Sequence, residues 1–319
     1  SDEVRAGGGG AAVSVAASLP PQTAHAPHDS LTLPPAPSLD RGHLRTEAAQ
    51  AGDAGRLEAL VPAAAPYGCS DPQAPVLLFV PGLGLDGLCF VRQLPLGALA
   101  TLHMFQTPNA PAAGEEGLGC FARYVEEYIL ARRLDQRPGG LILCGVSMGG
   151  AMSLMIAVRR RVRLRGLILI STFGSCKHLP RLHRVLAPLA WVLPMAFFRR
   201  CAWLLSPTVP GHAVSREEAR WMATPGIRRP LSYFGRAVGA LTRLELVEAA
   251  KELRLPVLVV HGMRDGVVPA AAARELQESI PGAALVLIQG ARHSAFFMHY
   301  DQVNAAIARF VAELKGGRA

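Results

Sequence analysis

The stretch LILCGVSMGG, Leu141 to Gly150, decides the fold prediction. Residues 141–145 form a short apolar run that is typical of a buried parallel strand, and Ala151 to Arg159 continue as a helix. Gly145, Ser147 and Gly149 form G-x-S-x-G between these two elements. Such a tight turn exposes the serine hydroxyl as a nucleophile, and the flanking glycines tolerate crowded backbone angles. The alternative is a turn in which small residues simply fit.

Further strands and helices alternate along the chain on either side of this turn. Strands are predicted at VLLFV (76–80), ALATLHMF (98–105), GLILIST (166–172), PVLVVHG (256–262) and ALVLIQG (284–290). Apolar residues recur at helical spacing within 118–129 and 301–314. The pattern predicts an α/β fold, with a mostly parallel central sheet and helices on both faces.

Composition divides the chain into three parts. Residues 1–52 are rich in Ala, Gly and Pro, which predicts a disordered tail, with a targeting remnant as the alternative. The strand pattern stops between 173 and 250, where Pro, Trp, Phe and Arg are frequent. We expect a helical cap there, placed over an α/β core formed by residues 53–172 and 251–319.

Charge and cysteine content exclude several classes of function. The formal net charge is +9, but the arginines are scattered and no nucleic-acid-reading motif accompanies them, so we expect no nucleic-acid partner. The six cysteines form no CxxC pair and no metal-ligand spacing, which indicates reduced thiols, no metal site and a cytoplasmic location. The longest apolar run, residues 185–198, contains Pro188 and Pro194 and is too short and broken to cross a membrane.

A serine hydroxyl needs a base to remove its proton and an acid to orient that base. His293 follows the last predicted strand in IQGARHSAFF, and Asp265 follows the preceding one in HGMRDGVVP. Because strand ends of an open parallel sheet border one crevice, these side chains are expected to meet Ser147. The alternatives are a turn aspartate before glycine and a histidine in a surface loop.

Competing acids and bases are few. Residues 136–216 contain no Asp or Glu, so the loop after 166–172 cannot supply the acid. His261 lies at a strand end and is expected to pack there, which leaves His299 as a reserve base. The oxyanion of a tetrahedral intermediate needs two backbone N–H donors, expected from Met148 and from Leu83 in the loop VPGLGLDG.

The ordered motifs VPGLG, GVSMGG, HGMRDGVVP and GARHSAFF resemble the α/β-hydrolase superfamily, especially its small carboxylesterase, lipase and haloperoxidase-like members with a helical cap. The resemblance implies the following roles: Ser147 as nucleophile, His293 as general base, Asp265 as orienting acid, and Leu83 and Met148 as oxyanion hole. It implies no metal and no cofactor. Pro81-Gly82 replaces the His-Gly of many members, and residues 106–117 lack the usual Asp-x-x-Gly-x-Gly turn.

The cap sequence indicates the substrate class. Its aromatic residues favour an apolar acyl or alkyl group, and the pocket candidates are Trp191, Phe197, Phe198 and Trp203. Basic residues lie between them, which favours an anionic acyl carrier or a lipid surface as partner. Pimeloyl-carrier-protein methyl esterases of the superfamily use a cap of this general kind.

The leading hypothesis is a serine hydrolase that cleaves carboxylic esters through an acyl-enzyme. An acyltransferase or a cofactor-free perhydrolase would use the same triad. A non-catalytic interaction protein that keeps the α/β-hydrolase fold is the alternative of another class.

Overall fold

The computed structural model describes residues 69, 71–109, 115–179 and 229–317. The predicted tail at 1–52 and the four aromatic pocket candidates of the cap lie outside the described residues.

The described residues form a six-stranded, all-parallel sheet with the order β2-β1-β3-β4-β5-β6. Its strands are β1 (Val76–Val80), β2 (Thr101–Met104), β3 (Leu141–Val146), β4 (Gly166–Ile170), β5 (Val257–Gly262) and β6 (Ala284–Ile288). The helices are α1 (Gly119–Ala131), α2 (Met148–Arg159), α3 (Leu231–Leu241), α4 (Val247–Ala250), α5 (Ala270–Ser279), α6 (Ala295–Met298) and α7 (Tyr300–Lys315). Three 3₁₀ helices cover Gly87–Ala98, Leu134–Gln136 and Cys176–His178.

The observed element boundaries differ most from the sequence prediction at the beginning of one strand and of one helix. The strand predicted at 98–105 is shorter, because Ala98 ends the 3₁₀ helix Gly87–Ala98 and the strand begins only at Thr101. The helix after the nucleophile turn begins at Met148, directly after Ser147, and not at Ala151. The backbone therefore passes from strand to helix within a single residue.

Alternate residues of each strand face opposite sides of the sheet, since the side-chain period of a strand is two. Val76, Leu78 and Val80 of β1 join a core that includes residues of α1, α2, α3 and α5. Leu77 and Phe79 join a second core with the 3₁₀ helix Gly87–Ala98, α6 and α7. All five residues of β1 are buried, so helices on both faces explain why the strands read as continuous apolar runs.

Part of the span assigned to the cap is described. Residues 173–179, α3 and α4 fall within it, and Tyr233 and Ala237 of α3 are buried in the core that contains α1 and α2. The division into core and cap stays a prediction, since residues 180–228 lie outside the described part. Within that described part, no helix combines the length and hydropathy that crossing a membrane requires.

Candidate active site

Ser147 occupies the one-residue turn between β3 and α2 in a strained conformation, with φ 53° and ψ −120°. A positive φ is unfavourable for a residue with a side chain and persists only where the surroundings enforce it. Here the Ser147 N–H donates to Ile170 O at 2.9 Å, and Thr172 Oγ1 donates to Ser147 O at 2.7 Å. These bonds to the end of β4 hold the turn on both sides of the Cα atom, with the serine partly exposed.

Gly145 and Gly149 are required because a side chain at either position would clash with neighbouring backbone, and not because of their backbone angles. Neither has a positive φ, which corrects the expectation that they relieve crowded angles. A Cβ on Gly145 would overlap the carbonyl oxygen of Gly149, and a Cβ on Gly149 would overlap the carbonyl oxygen of Val80. The two glycines therefore let α2 begin against β1 and β3, while Ser147 itself carries the strain.

The structure brings the three expected side chains into one hydrogen-bonded chain. His293 Nε2 lies 3.0 Å from Ser147 Oγ, and His293 Nδ1 lies 2.8 Å from Asp265 Oδ2. Ser147 follows β3, Asp265 follows β5 and His293 follows β6, so all three lie at the carboxyl edge of the sheet. A serine, an imidazole and a carboxylate in this order can pass the serine proton to the imidazole.

Asp265 is held by its own loop. Its side chain is fully buried, and Oδ1 accepts hydrogen bonds from the N–H groups of Val267 at 2.8 Å and Val268 at 2.9 Å. Because Oδ1 is satisfied by the backbone, Oδ2 is directed at His293. An Asp-Gly pair in a turn is common, but here the turn aims the carboxylate at the imidazole.

His261 lies beside the same carboxylate and packs at the strand end, as expected. It is fully buried, and its Nε2 lies 2.9 Å from Val268 O and 3.4 Å from Asp265 Oδ2. The pKa of His261 is lowered below its ordinary 6.5 mainly by burial, which favours the neutral ring. The Asp265 carboxylate lies closer to His293, and the reserve candidate His299 instead marks the junction of α6 and α7.

The two expected oxyanion donors belong to two segments next to Ser147, the beginning of α2 and the loop after β1. Met148 is the first residue of α2, where the initial N–H groups have no acceptor within the helix. Leu83 lies in a turn closed by the Leu85 N–H, which donates to Gly82 O at 3.1 Å. A Cβ on Gly82 would lie 3.3 Å from the Ser147 Cβ, so this loop rests against the serine.

Several basic residues that the sequence leaves free are paired within the fold. Arg159, the last residue of α2, and Arg161, just after it, form ion pairs with Glu115, and both also approach Glu126. Lys177 at the beginning of the cap span pairs with Glu275 of α5. These paired charges stabilise the scaffold and do not form an open basic surface.

The structure also adds Thr172 to the site, because its hydroxyl contacts Ser147 and no sequence motif indicated this contact.

The fold and the site together define the class of protein. A parallel sheet with helices on both faces, a strained serine between strand and helix, and acid and histidine after later strands are the features of an α/β-hydrolase. Solved structures agree on the fold. The chain resembles an esterase from Exiguobacterium antarcticum (TM-score 0.65, 16% identity, covering 75% of this chain and 92% of that one). It also resembles MenH from S. aureus (TM-score 0.65, 16% identity, covering 78% and 97%).

Sequence comparison identifies the family. The family model described as serine aminopeptidase, S33, matches residues 120–298, more than half of the chain. The chain belongs to this family of hydrolases. It is 26% identical over 246 residues to a pimeloyl-[acyl-carrier protein] methyl ester esterase of Aeromonas hydrophila, covering 75% of this chain and 96% of the relative. The corresponding esterase of Yersinia pseudotuberculosis is 28% identical over 221 residues, covering 67% and 84%.

Proposed function

We propose that this protein is a serine hydrolase that cleaves carboxylic esters through an acyl-enzyme. Ser147 is the nucleophile, His293 the general base and Asp265 the acid that orients the imidazole. The observation that carries the proposal is the unbroken chain from Asp265 Oδ2 through both ring nitrogens of His293 to Ser147 Oγ. A chain of this kind raises the nucleophilicity of a hydroxyl that is otherwise too weakly acidic to react.

In the first half-reaction, Ser147 Oγ attacks the ester carbonyl carbon while its proton moves to His293 Nε2. Asp265 Oδ2 accepts a hydrogen bond from Nδ1–H and stabilises the imidazolium that forms. The tetrahedral intermediate collapses, and the alcohol leaves with the proton from Nε2. In the second half-reaction, His293 Nε2 deprotonates a water molecule that attacks the acyl-serine. The second tetrahedral intermediate collapses, Ser147 Oγ leaves with the proton from Nε2, and the acid is released. Neither half-reaction requires a metal or an organic cofactor.

The N–H groups of Met148 and Leu83 are proposed to bind the developing oxyanion. The position of Met148 at the beginning of α2 supports this role, because the positive end of a helix dipole stabilises negative charge. The contact between the Leu83 loop and Ser147 supports the second donor.

We further propose that the ester has an apolar acyl chain attached to an anionic carrier. The relatives named as pimeloyl-[acyl-carrier protein] methyl ester esterases and the net charge of +9 support this substrate class. The test compares kcat/KM for one methyl ester on acyl-carrier protein and as a free molecule. The proposal expects a carrier advantage of about tenfold that falls with added salt, and equal values would contradict it.

Ser147→Ala tests the proposed chemistry. We expect turnover of a short p-nitrophenyl ester to fall by about 10⁴-fold or more, with an unchanged thermal transition, because the nucleophile is lost without loss of packing. Ser279→Ala, at the end of α5, is the matched control and should retain full turnover. Equal rates in Ser147→Ala and the parent protein would refute the proposal.

A further inference from the structure

Arg229 is a buried arginine between two loops at the carboxyl edge of the sheet. It is 5% exposed, and its guanidinium donates to Thr107 O at 2.8 Å, Asn109 Oδ1 at 3.0 Å and Leu85 O at 3.1 Å. These three acceptors are neutral oxygens. A buried cation needs strong hydrogen bonds to offset its lost hydration, so all three contacts are structurally significant.

The bond to Leu85 reaches the expected oxyanion loop. Leu85 closes the turn in which Leu83 occupies the second position, through its N–H to Gly82 O. Since Gly82 rests against Ser147 and Leu85 is bound by Arg229, the turn is fixed at both of its ends. The Leu83 N–H lies between these two ends of the turn.

The same arginine connects this loop to α3. Its Cζ lies 4.4 Å from the ring centroid of Tyr233, a favourable position for a cation over an aromatic face. Burial raises the pKa of Tyr233, and the charge of Arg229 opposes that rise. Arg229 lies just before α3, so its contact with the Tyr233 ring links the loop to this helix.

We propose that Arg229 is a positioning residue that holds the turn Gly82–Leu85, and with it the Leu83 N–H, in the geometry that binds the oxyanion. This inference rests on the proposed function and extends it to a residue that touches neither substrate nor triad. Arg229 lies within the span assigned to the cap, 173–250, so its guanidinium links the described part of that span to the oxyanion loop.

Arg229→Met tests the proposal, because it keeps an unbranched apolar stem and removes every donor. We expect kcat for a p-nitrophenyl ester to fall about 10- to 100-fold with KM within about twofold, since the oxyanion donor acts in the transition state. Arg229→Lys, which keeps one charged donor, should recover part of that loss. Hydrogen exchange of a peptide containing residues 82–86 should be faster in Arg229→Met than in the parent protein.

Arg165→Met is the matched control. Arg165 also donates to two backbone carbonyls, Gly139 O at 2.6 Å and Leu314 O at 2.7 Å, but at the opposite edge of the sheet. Its loss should lower the thermal transition and leave both kcat and the exchange of residues 82–86 unchanged.

The outcomes separate this inference from the proposed function. Parent kcat and parent exchange in a folded Arg229→Met protein would overturn the positioning role, whatever the fate of Ser147→Ala. A Ser147→Ala protein that keeps its turnover would overturn the proposed function, and unchanged exchange of residues 82–86 would then decide against the role of Arg229 independently. Lower kcat in both Arg229→Met and Arg165→Met would reduce the effect to general destabilisation and would also refute the inference.

Discussion

The two edges of the sheet use similar residues for different purposes. At the amino edge, Arg165 binds the carbonyl groups of Gly139 and Leu314 and joins the beginning of β3 to the end of α7. At the carboxyl edge, Arg229 binds carbonyl groups of the loops that follow β1 and β2. The first arginine connects elements of the scaffold, while the second connects loops at the edge of the sheet where Ser147 lies.

Backbone strain follows the same division. Arg133 and Arg160 have positive φ, but both lie at helix ends, where left-handed residues are ordinary. Ser147 and Ser171 have positive φ directly after β3 and β4. Positive φ values away from the carboxyl edge thus lie at helix ends, whereas the positive φ of Ser147 at that edge positions a functional side chain. A substitution at the carboxyl edge should therefore affect catalysis, and an equivalent one elsewhere should affect stability alone.

The largest difference in kcat is expected between the variants Asp265→Asn and Asp71→Asn. Each carboxylate accepts the N–H of the residue two positions later, Val267 and Gln73 respectively, so the local turns are alike. Asn at 265 keeps that acceptor but turns an NH₂ group toward His293, which favours the wrong tautomer. We expect kcat to fall about 10³- to 10⁴-fold.

The Asp71→Asn protein should turn over esters at the parent rate, measured in the same steady-state assay. A comparable loss of kcat in both variants would mean that Asp265 stabilises only its local turn and does not orient His293.

The next largest difference in kcat is expected between the variants Gly149→Ala and Gly139→Ala. A Cβ at position 149 would overlap the carbonyl group of Val80, and a Cβ at position 139 would overlap that of Ala74. Both variants therefore introduce a clash with backbone atoms. Gly149→Ala should displace Ser147 and lower kcat about 100-fold, since small misplacements of reacting groups are costly. Gly139→Ala should lower stability by about 1–3 kcal/mol at unchanged kcat per folded molecule. Denaturant unfolding together with active-site titration measures both quantities, and a parent-like kcat in folded Gly149→Ala would remove the contrast.

His103 in β2 offers the smallest effect, a change in stability with pH that should leave the site untouched. Burial chiefly, with Arg132 and Arg137, lowers the pKa of His103 from 6.5 to about 4. Between these two pH values, His103 is protonated in the unfolded chain but neutral in the folded protein. The free energy of unfolding therefore decreases as pH falls from about 6.5 toward 4. In His103→Asn the drop in Tm between pH 7 and pH 5 should shrink by about 5 °C. An identical drop in the two proteins would contradict this assignment.

The sequence contains most of what determines the sheet and the chemical groups. The apolar runs at 76–80 and 141–145 correspond to β1 and to most of β3, because strands covered on both faces must be apolar at every position. Ser147, Asp265 and His293 follow β3, β5 and β6, and this position alone predicts that they meet, since carboxyl ends of parallel strands share one edge.

The groups that hold the site in shape could not be predicted in the same way. Arg229 binds backbone oxygens, and Thr172 binds the carbonyl of Ser147, so their partners carry no side-chain signature. The pairing of Arg159 with Glu115 joins residues 44 positions apart, and no local pattern in the sequence indicates it. Backbone carbonyls become specific partners only once the fold has placed them.

The central claim is that Ser147 is the nucleophile and that His293 activates it. Intact-protein and peptide mass spectrometry after reaction with a fluorophosphonate tests this claim most directly, because the reagent modifies activated serines. We expect one adduct per chain on the peptide containing Ser147, no adduct in Ser147→Ala, and labelling at least about 100-fold slower in His293→Ala. An unlabelled, folded parent protein, or equal labelling in Ser147→Ala, would contradict it.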